Sequence, residues 1–170
     1  MIANRFRVSL RSFRDADLDD VIDYASQPAV AQAANFPVCT TLGQGMFFLR
    51  RLQMTGRAVV LTTSQKVIGN VCLYPIFDPD QGIDEQKVEL GYALNQDYWK
   101  QGLGTQAVAL AIIWAQEAGY RVIEAYVYQD NIASQRVLEK NGFKRLPAPE
   151  ISLNTGLQIG YQLNMVDCNK

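Results

Sequence analysis

The strongest sequence signal for the fold is the stretch Trp99-Lys100-Gln101-Gly102-Leu103-Gly104-Thr105-Gln106-Ala107. Two glycines separated by one residue let backbone N–H groups come close to an anion, and the apolar residues that follow predict a helix at once. The unpaired N–H groups and the positive dipole end of that helix face the same ligand. The stretch therefore predicts an anion site that fits a pyrophosphate.

The same stretch also fits the dinucleotide fingerprint G-x-G-x-x-G/A, and Glu124 lies 20 residues after Gly104. A Rossmann turn follows its strand immediately, whereas Asn95–Gln101 separates the predicted strand end, Leu94, from the first glycine. Glu124 lies inside a predicted strand, whereas the ribose-binding acid belongs at a strand's carboxyl end. A third interpretation, in which the glycines only cap a helix, leaves the wide loop unexplained. We therefore favour an anion site outside a Rossmann fold.

The rest of the chain alternates between strand and helix signals. Strands are predicted at Arg5–Leu10, Ala58–Thr62, Lys66–Tyr74, Lys87–Leu94, Arg121–Tyr128, from Phe143, and at Gln158–Met165, the last one an edge strand. Helices are predicted from the cap residues Arg14–Asp17 to about Ala25, then over Leu42–Met54, Gly102–Ala118 and Asp130–Lys140. Pro28 and Pro37 bracket a short irregular or helical piece, and Pro75–Gln86 is predicted as a polar, acidic loop. Consecutive strands followed by strand-helix alternation predict an α/β (α+β) fold, a mixed sheet with helices on both faces.

The composition limits the classes of partner and of cellular location that suit this chain. The 170 residues suit one domain, 1–170, and the formal net charge of −1 provides no global field for nucleic acid or an anionic membrane. The longest apolar stretch, Ala107–Ala115, is too short to span a bilayer, and the start of the chain lacks the apolar run of a signal peptide. Three scattered cysteines suit a reducing compartment, so we expect a cytoplasmic protein.

The chain contains no histidine. This excludes Ser-His and Cys-His dyads and histidine-ligated metal sites, and the cysteines show no zinc spacing. We therefore expect no metal. A general base must be a carboxylate, a lysine, a tyrosine or a water chain.

Three motifs in this order resemble the GNAT (GCN5-related N-acetyltransferase) superfamily. They are Val88-Glu89-Leu90-Gly91-Tyr92-Ala93-Leu94, Tyr98-Trp99-Lys100-Gln101-Gly102-Leu103-Gly104, and Asn131-Ile132-Ala133-Ser134-Gln135-Arg136-Val137-Leu138-Glu139-Lys140-Asn141-Gly142-Phe143. Together with the opening Leu10–Asp17, they most resemble the branch of the ribosomal-protein N-terminal acetyltransferases RimJ and RimL. Trp99 replaces the first residue of the general phosphate-loop motif, as it often does in that branch. The resemblance implies a GNAT fold, with about six to seven strands and a splayed middle pair.

The resemblance also implies how acetyl-CoA is bound. The pyrophosphate role carries over to the amides of Lys100, Gln101, Gly102, Leu103, Gly104 and Thr105. The pantetheine role carries over to Tyr92, Ala93 and Leu94 on the preceding strand. Asn131 matches an asparagine that contacts the pantetheine arm, and a helix N-cap is an equally good and compatible interpretation.

The resemblance indicates two catalytic candidates. Many family members place a proton-donating tyrosine where this chain has Leu138. Ser134 matches a serine near the thioester in RimL-like enzymes, although it also suits local backbone hydrogen bonding. Glu89 resembles the glutamate base of some members, with a merely paired or solvated glutamate as the alternative. We interpret Tyr74, Tyr92 and Tyr126 as core or wall residues. The acidic residues Asp78, Asp80, Asp84 and Glu85 are expected to be solvated, or else to form a cation-recruiting rim.

The expected reaction is direct transfer of acetyl from acetyl-CoA to a primary amine in a ternary complex, without an acyl-enzyme. The acceptor is expected to be an α-amine, on a protein N-terminus or a small amino compound. A catalytically inactive CoA-binding or scaffold domain is the main alternative, because Leu138 cannot donate a proton. A nucleotide-dependent oxidoreductase is the lesser alternative, because the glycine stretch also fits the dinucleotide fingerprint. A homodimer is left open.

Overall fold

The computed structural model describes residues 6–80, 82–152 and 156–165 of the chain. A seven-stranded sheet has the order β1-β2-β3-β4-β5-β7-β6. The strands are β1 (Val8–Arg11), β2 (Gly56–Leu61), β3 (Val67–Asp78), β4 (Gly82–Leu94), β5 (Val122–Tyr128), β6 (Lys144–Ser152) and β7 (Gly156–Asn164). The helices are α1 (Leu18–Ala25), α2 (Pro28–Ala33), α3 (Leu42–Thr55), α4 (Leu103–Glu117) and α5 (Ile132–Lys140).

Helices cover the sheet on both sides. One buried cluster joins the sheet to α4 and α5 and includes Ile68, Val108 and Leu138. The other joins the sheet to α1, α2 and α3 and includes Tyr24 and Leu52. All neighbouring strands are antiparallel except β4 and β5, which are parallel. The predicted mixed α/β sheet is confirmed.

The parallel pair is splayed. β4 and β5 pair only from Lys87 to Glu89, opposite Val122 to Glu124. Beyond Glu89, β4 continues its ladder with β3 as far as Leu94, which lies opposite Gly69. A gap therefore opens in the middle of the sheet, between the carboxyl-terminal halves of two strands.

Two predictions about the sheet are wrong. The last strand, β7, is not at an edge: it lies between β5 and β6, and β6 is the edge strand. Its consecutive buried residues Ile159, Gly160 and Tyr161 are typical of such an interior strand. Residues 75–78 and 82–86 are also not a loop, because they belong to β3 and β4, with Asp78 opposite Gly82. A register shift between Pro75 and Phe77 accommodates the proline, which cannot donate a ladder hydrogen bond.

A buried ion pair fixes the entry to α1. Both terminal nitrogens of Arg11 donate to the Asp17 carboxylate, at 2.7 and 2.8 Å, and the Arg14 backbone N–H donates to it at 2.7 Å. Burial alone would raise the pKa of Asp17, but these hydrogen bonds outweigh burial and lower it. The opening motif Leu10–Asp17 thus has a structural role, which is to direct the chain from β1 into α1.

We expect Asp17→Asn to lower the free energy of unfolding at neutral pH by about 2 to 3 kcal/mol, because a charged hydrogen-bond acceptor for Arg11 is lost. Since the folded-state pKa of Asp17 lies below its unfolded value, the wild-type advantage is full above about pH 4 and is lost as the pH falls through the folded pKa. Urea unfolding at pH 7 and near pH 3 measures this. Asp15→Asn, at an exposed ion pair with Arg50, is the control and should change stability little. An equal Asp17→Asn deficit at both pH values would contradict the linkage.

Candidate active site

The gap between β4 and β5 presents free backbone groups. The N–H of Asn95 donates to the carbonyl of Ile68 on β3. Backbone groups alternate in direction along a strand, so the N–H groups of Tyr92 and Leu94 point away from β3 and towards the gap. These are the strand positions predicted to pair with the pantetheine arm, and Ala93 points its N–H to β3 instead.

The glycine stretch forms the predicted turn and helix start. Lys100 and Gly102 both have left-handed backbone conformations, with φ of 60° and 76°. Helix α4 begins at Leu103, and its N-cap residue Gly102 provides no side-chain cap. Helical geometry leaves the N–H groups of Leu103, Gly104 and Thr105 without partners inside the helix. A Cβ built at Gly102 meets nothing within 4 Å, so the space beside this N-cap residue is open.

Polar side chains hold this loop in place, and sequence analysis did not assign them. The indole N–H of Trp99 donates to the Leu94 carbonyl at 2.7 Å, so the aromatic residue at the first motif position closes the end of β4. The buried Asn95 donates to Asp23 on α1 at 3.1 Å and accepts from Gln27 at 3.1 Å. The start of the loop is therefore fixed to the helices on the other side of the gap.

Arg7 is a second unpredicted contributor. Its backbone N–H donates to the side-chain oxygen of Gln106 at 2.7 Å, and its guanidinium donates to the backbone carbonyl of Gln101. The residue is exposed, so it places a positive charge at the surface of the loop. No local signal identifies it, because 94 residues separate Arg7 from Gln101.

Asn131, which was predicted as a pantetheine contact and as a helix N-cap, is confirmed as the N-cap of α5. The Asn131 side-chain oxygen accepts from the Ser134 N–H at 3.1 Å, while its amide nitrogen donates across the groove to the Ala33 carbonyl of α2 at 3.4 Å. Asn131, Trp99 and Tyr128 line a cleft of about 500 Å³ together with residues of α2. The asparagine is thus accessible from the cleft on the loop side of the gap.

Tyr92 and Ser134 meet at the gap. Their hydroxyl oxygens lie 2.5 Å apart, and the Tyr92 hydroxyl is also 3.3 Å from the Ser134 carbonyl. Burial raises the pKa of Tyr92 to about 12, although its hydrogen bond with Ser134 opposes the shift. Leu138, one turn further along α5, is completely buried in the core.

A second cleft, of about 570 Å³, crosses the gap and reaches the α3 side of the sheet. Its lining includes Glu89, Tyr92 and Ser134, so it brings together both catalytic candidates. Glu89 is half-buried at the last rung before the strands separate, opposite Glu124 on β5. The two clefts share Tyr128 and three residues at the end of α2, and are therefore adjacent.

Aromatic residues form the wall around Glu89. A Cβ built at Gly91 would lie 3.0 Å from the Tyr74 ring, so the glycine makes room for that ring. Burial, together with neighbouring Cys72, raises the pKa of Tyr74. The Tyr126 hydroxyl donates to Glu124 at 2.8 Å. These positions agree with the predicted wall role of the tyrosines.

The predicted residues separate into two places. The clefts are lined by Glu89, Tyr92, Ala93, Ser134 and Asn131, whereas the loop residues Lys100–Thr105 lie outside these linings at the start of α4. Leu94, which is buried at the end of β4, also lines neither cleft. Among the residues that the structure describes, Asp78, Asp80, Asp84 and Glu85 line neither cleft, which weighs against an acidic rim.

Within the described ranges no group of three potential metal-ligating side chains occurs. No helix in the described part is both long and apolar enough to cross a membrane.

Comparison with known proteins agrees with this geometry. The family model of the acetyltransferase (GNAT) domain matches residues 7–144. The uncharacterised N-acetyltransferase p20 of Bacillus licheniformis is 26% identical over 147 residues, covering 82% of this chain and 80% of that protein. A GNAT-family acetyltransferase from Bacillus anthracis superimposes with a TM-score of 0.80 at 21% identity, covering 93% of this chain and 95% of that one.

A structure that contains a ligand has the same fold. The yncA protein of Salmonella typhimurium, solved with its cofactor acetyl-CoA, superimposes with a TM-score of 0.71 at 20% identity, covering 96% of this chain and 97% of that one. The family match extends from β1 to the start of β6 and so includes the splayed strands, the glycine loop and α5. The chain belongs to the GNAT acetyltransferase family.

Proposed function

We propose that this protein is an acetyl-CoA-dependent N-acetyltransferase in which a primary amine attacks the thioester directly. The observation that carries the proposal is the gap between β4 and β5, with donors of the glycine loop near one end and Glu89 at the other. The family match supports acetyl transfer. We also propose that residues 1–170 form one cytoplasmic domain of the RimJ/RimL-like branch, on the motifs given above.

The chain offers a binding group for each part of acetyl-CoA. The amides from Lys100 to Thr105 would hold the pyrophosphate, with Arg7 adding positive charge nearby. The gap-facing backbone of Tyr92 and Leu94 would pair with the pantetheine arm, and Asn131 would meet it from α5. Acetyl-CoA supplies the activated acetyl group, so the protein itself needs to provide position, charge stabilisation and proton transfer.

The reaction requires two proton transfers, one from the attacking amine and one to the leaving thiolate. Glu89 would accept a proton from the attacking ammonium, since its side chain lines the cleft on the α3 side of the gap. A gap-facing backbone N–H of the splayed strand, near Leu94, would polarise the thioester carbonyl. Ser134 would face the leaving thiolate from α5, on the opposite side of β4.

We propose that the acceptor is an α-amine rather than a lysine side chain. Only a neutral amine attacks a thioester, and an α-amine has a reference pKa near 7.7–8.0 against about 10.4 for lysine. Deprotonating the α-amine near neutral pH is therefore easier by about 2.5 units, or about 3.4 kcal/mol. The cleft offers one carboxylate base and no histidine to perform the harder deprotonation.

A competition experiment tests this acceptor. One peptide carries a free N-terminus and no lysine, and a second has the same sequence with an acetylated N-terminus and one added lysine. We expect the free N-terminus to be acetylated at least about 10-fold faster at pH 7 in a mixture of the two, as its larger neutral fraction requires. Mass spectrometry of both products measures the ratio. Faster modification of the lysine peptide would overturn the α-amine proposal but not acetyl transfer itself.

The alternative is a domain that binds CoA without catalysis. Leu138 favours it, because this buried leucine occupies the position on α5 where many family members have the proton-donating tyrosine. Isothermal titration with acetyl-CoA, combined with thiol release across a panel of amines, separates the two functions. Binding without thiol release from any amine would support the alternative. Thiol release that requires both protein and amine would exclude it.

A further inference from the structure

We propose that Tyr92 is a positioning residue that orients the Ser134 hydroxyl to protonate the departing CoA thiolate. This inference rests on the proposed acetyl transfer. It assigns a function to a hydroxyl that sequence analysis treated as part of the wall, and it accounts for the absence of a tyrosine at Leu138.

The geometry places this pair at the gap. Tyr92 lies on the part of β4 that has separated from β5, and Ser134 lies in the first turn of α5, with its N–H held by Asn131. Both side chains line the cleft that also contains Glu89. Their 2.5 Å separation is a short O–H···O hydrogen bond.

Proton transfer through Ser134 requires Tyr92 to be the donor of that hydrogen bond. Either hydroxyl of the pair can donate, and the Tyr92 hydroxyl also lies 3.3 Å from the Ser134 carbonyl. In the arrangement that supports the transfer, Tyr92, the stronger acid, donates to the Ser134 hydroxyl. Burial raises the pKa of Tyr92 to about 12, so the phenol remains protonated near neutral pH. The serine's own hydrogen is then directed away from Tyr92 and can reach a group bound in the gap.

Collapse of the tetrahedral intermediate breaks the carbon–sulfur bond and leaves the electron pair on sulfur. Ser134 gives its hydroxyl proton to that sulfur, forming the thiol, and takes the phenolic proton of Tyr92 across their hydrogen bond. Tyr92 recovers a proton from water in the cleft, because its side chain is only partly buried. Tyr92 acts through Ser134 and need not contact the sulfur itself.

The other hydroxyls near the gap are less suitable. Tyr74, Tyr126 and Tyr128 line the cleft but extend from the sheet on the side of α3, where Glu89 also lies. Tyr92 is offset by an odd number of residues from Glu89 and Gly91, and therefore points to the α5 side. The base and the proposed acid are thus on opposite faces of one strand, so the two proton transfers are separated.

A double-mutant cycle tests the pair. We expect Tyr92→Phe to lower kcat by about 10-fold and Ser134→Ala by about 10- to 100-fold, with the KM for acetyl-CoA changed by less than about 2-fold. The double variant should be no slower than Ser134→Ala, because Tyr92 acts only through that hydroxyl. Ser134→Thr retains a hydroxyl and should restore most of the rate and its dependence on Tyr92.

Tyr161→Phe is the matched control, because it removes a tyrosine hydroxyl bonded to Glu139 at 3.1 Å outside both clefts. Its kcat should equal that of the wild type. Independent, multiplicative effects of Tyr92→Phe and Ser134→Ala would overturn the inference, as would a Tyr92→Phe enzyme with wild-type kcat. An inactive wild type that binds acetyl-CoA would instead refute the proposed function, so the two failures are distinguishable.

Discussion

Replacing Gly104 with aspartate should weaken acetyl-CoA binding by at least about 100-fold, which corresponds to about 2.7 kcal/mol. Gly104 is the second residue of α4, among N–H groups that helical geometry leaves without partners. A carboxylate there would face the pyrophosphate at short range, and two like unit charges about 4 Å apart repel by about 4 kcal/mol near a protein surface. Isothermal titration with acetyl-CoA measures the loss directly.

Two companion variants separate charge from size and from folding. A Cβ at Gly104 would meet only Val137, at an ordinary contact distance of 3.7 Å, so Gly104→Ala should fold and bind acetyl-CoA nearly as the wild type does. Gly104→Asn has the size of aspartate without its charge and should lie between the two. An acidic residue in the first turn favours a helix, so Gly104→Asp should remain folded. Wild-type affinity in folded Gly104→Asp would refute the pyrophosphate assignment.

Local patterns predicted most of the fold because each of its decisive features is short. The glycine pair and the start of the helix after it lie within the nine residues 99–107, and helix α4 begins there as predicted. The period of two residues along a strand puts Glu89, Gly91 and Ala93 on one face of β4, the side of α3. The order of the last two strands was not predictable in this way. An interior strand and an edge strand can share one pattern, and the position of β7 depends on its pairing with both β5 and β6.

The remaining features of the candidate site depend on contacts between distant residues. Arg7 and Asn95 hold the loop through partners on other elements, and neither belongs to a motif that indicates this role. Tyr92 was predicted as a pantetheine contact and a core or wall residue, and its hydroxyl gains a partner only when β4 and α5 are brought together. The 75–86 segment was misassigned because its proline and acidic residues resemble a loop, although a hairpin tolerates them at its exposed end.

Replacing Glu89 with glutamine should lower kcat by about 100-fold near pH 7, the loss expected for a general base. The deficit should shrink above about pH 8, because an α-amine is then mostly neutral and needs no base. Stopped-time acetylation assays across this pH range, at saturating acetyl-CoA, measure both quantities. Glu85→Gln is the matched control, because it removes the same charge from an exposed position of β4 outside the cleft and should leave the rate unchanged. If Glu89→Gln keeps the wild-type rate and pH profile, the glutamate is structural. Water in the cleft must then take up the proton, because the chain contains no histidine and burial, by raising the pKa of Tyr74, keeps that phenol protonated.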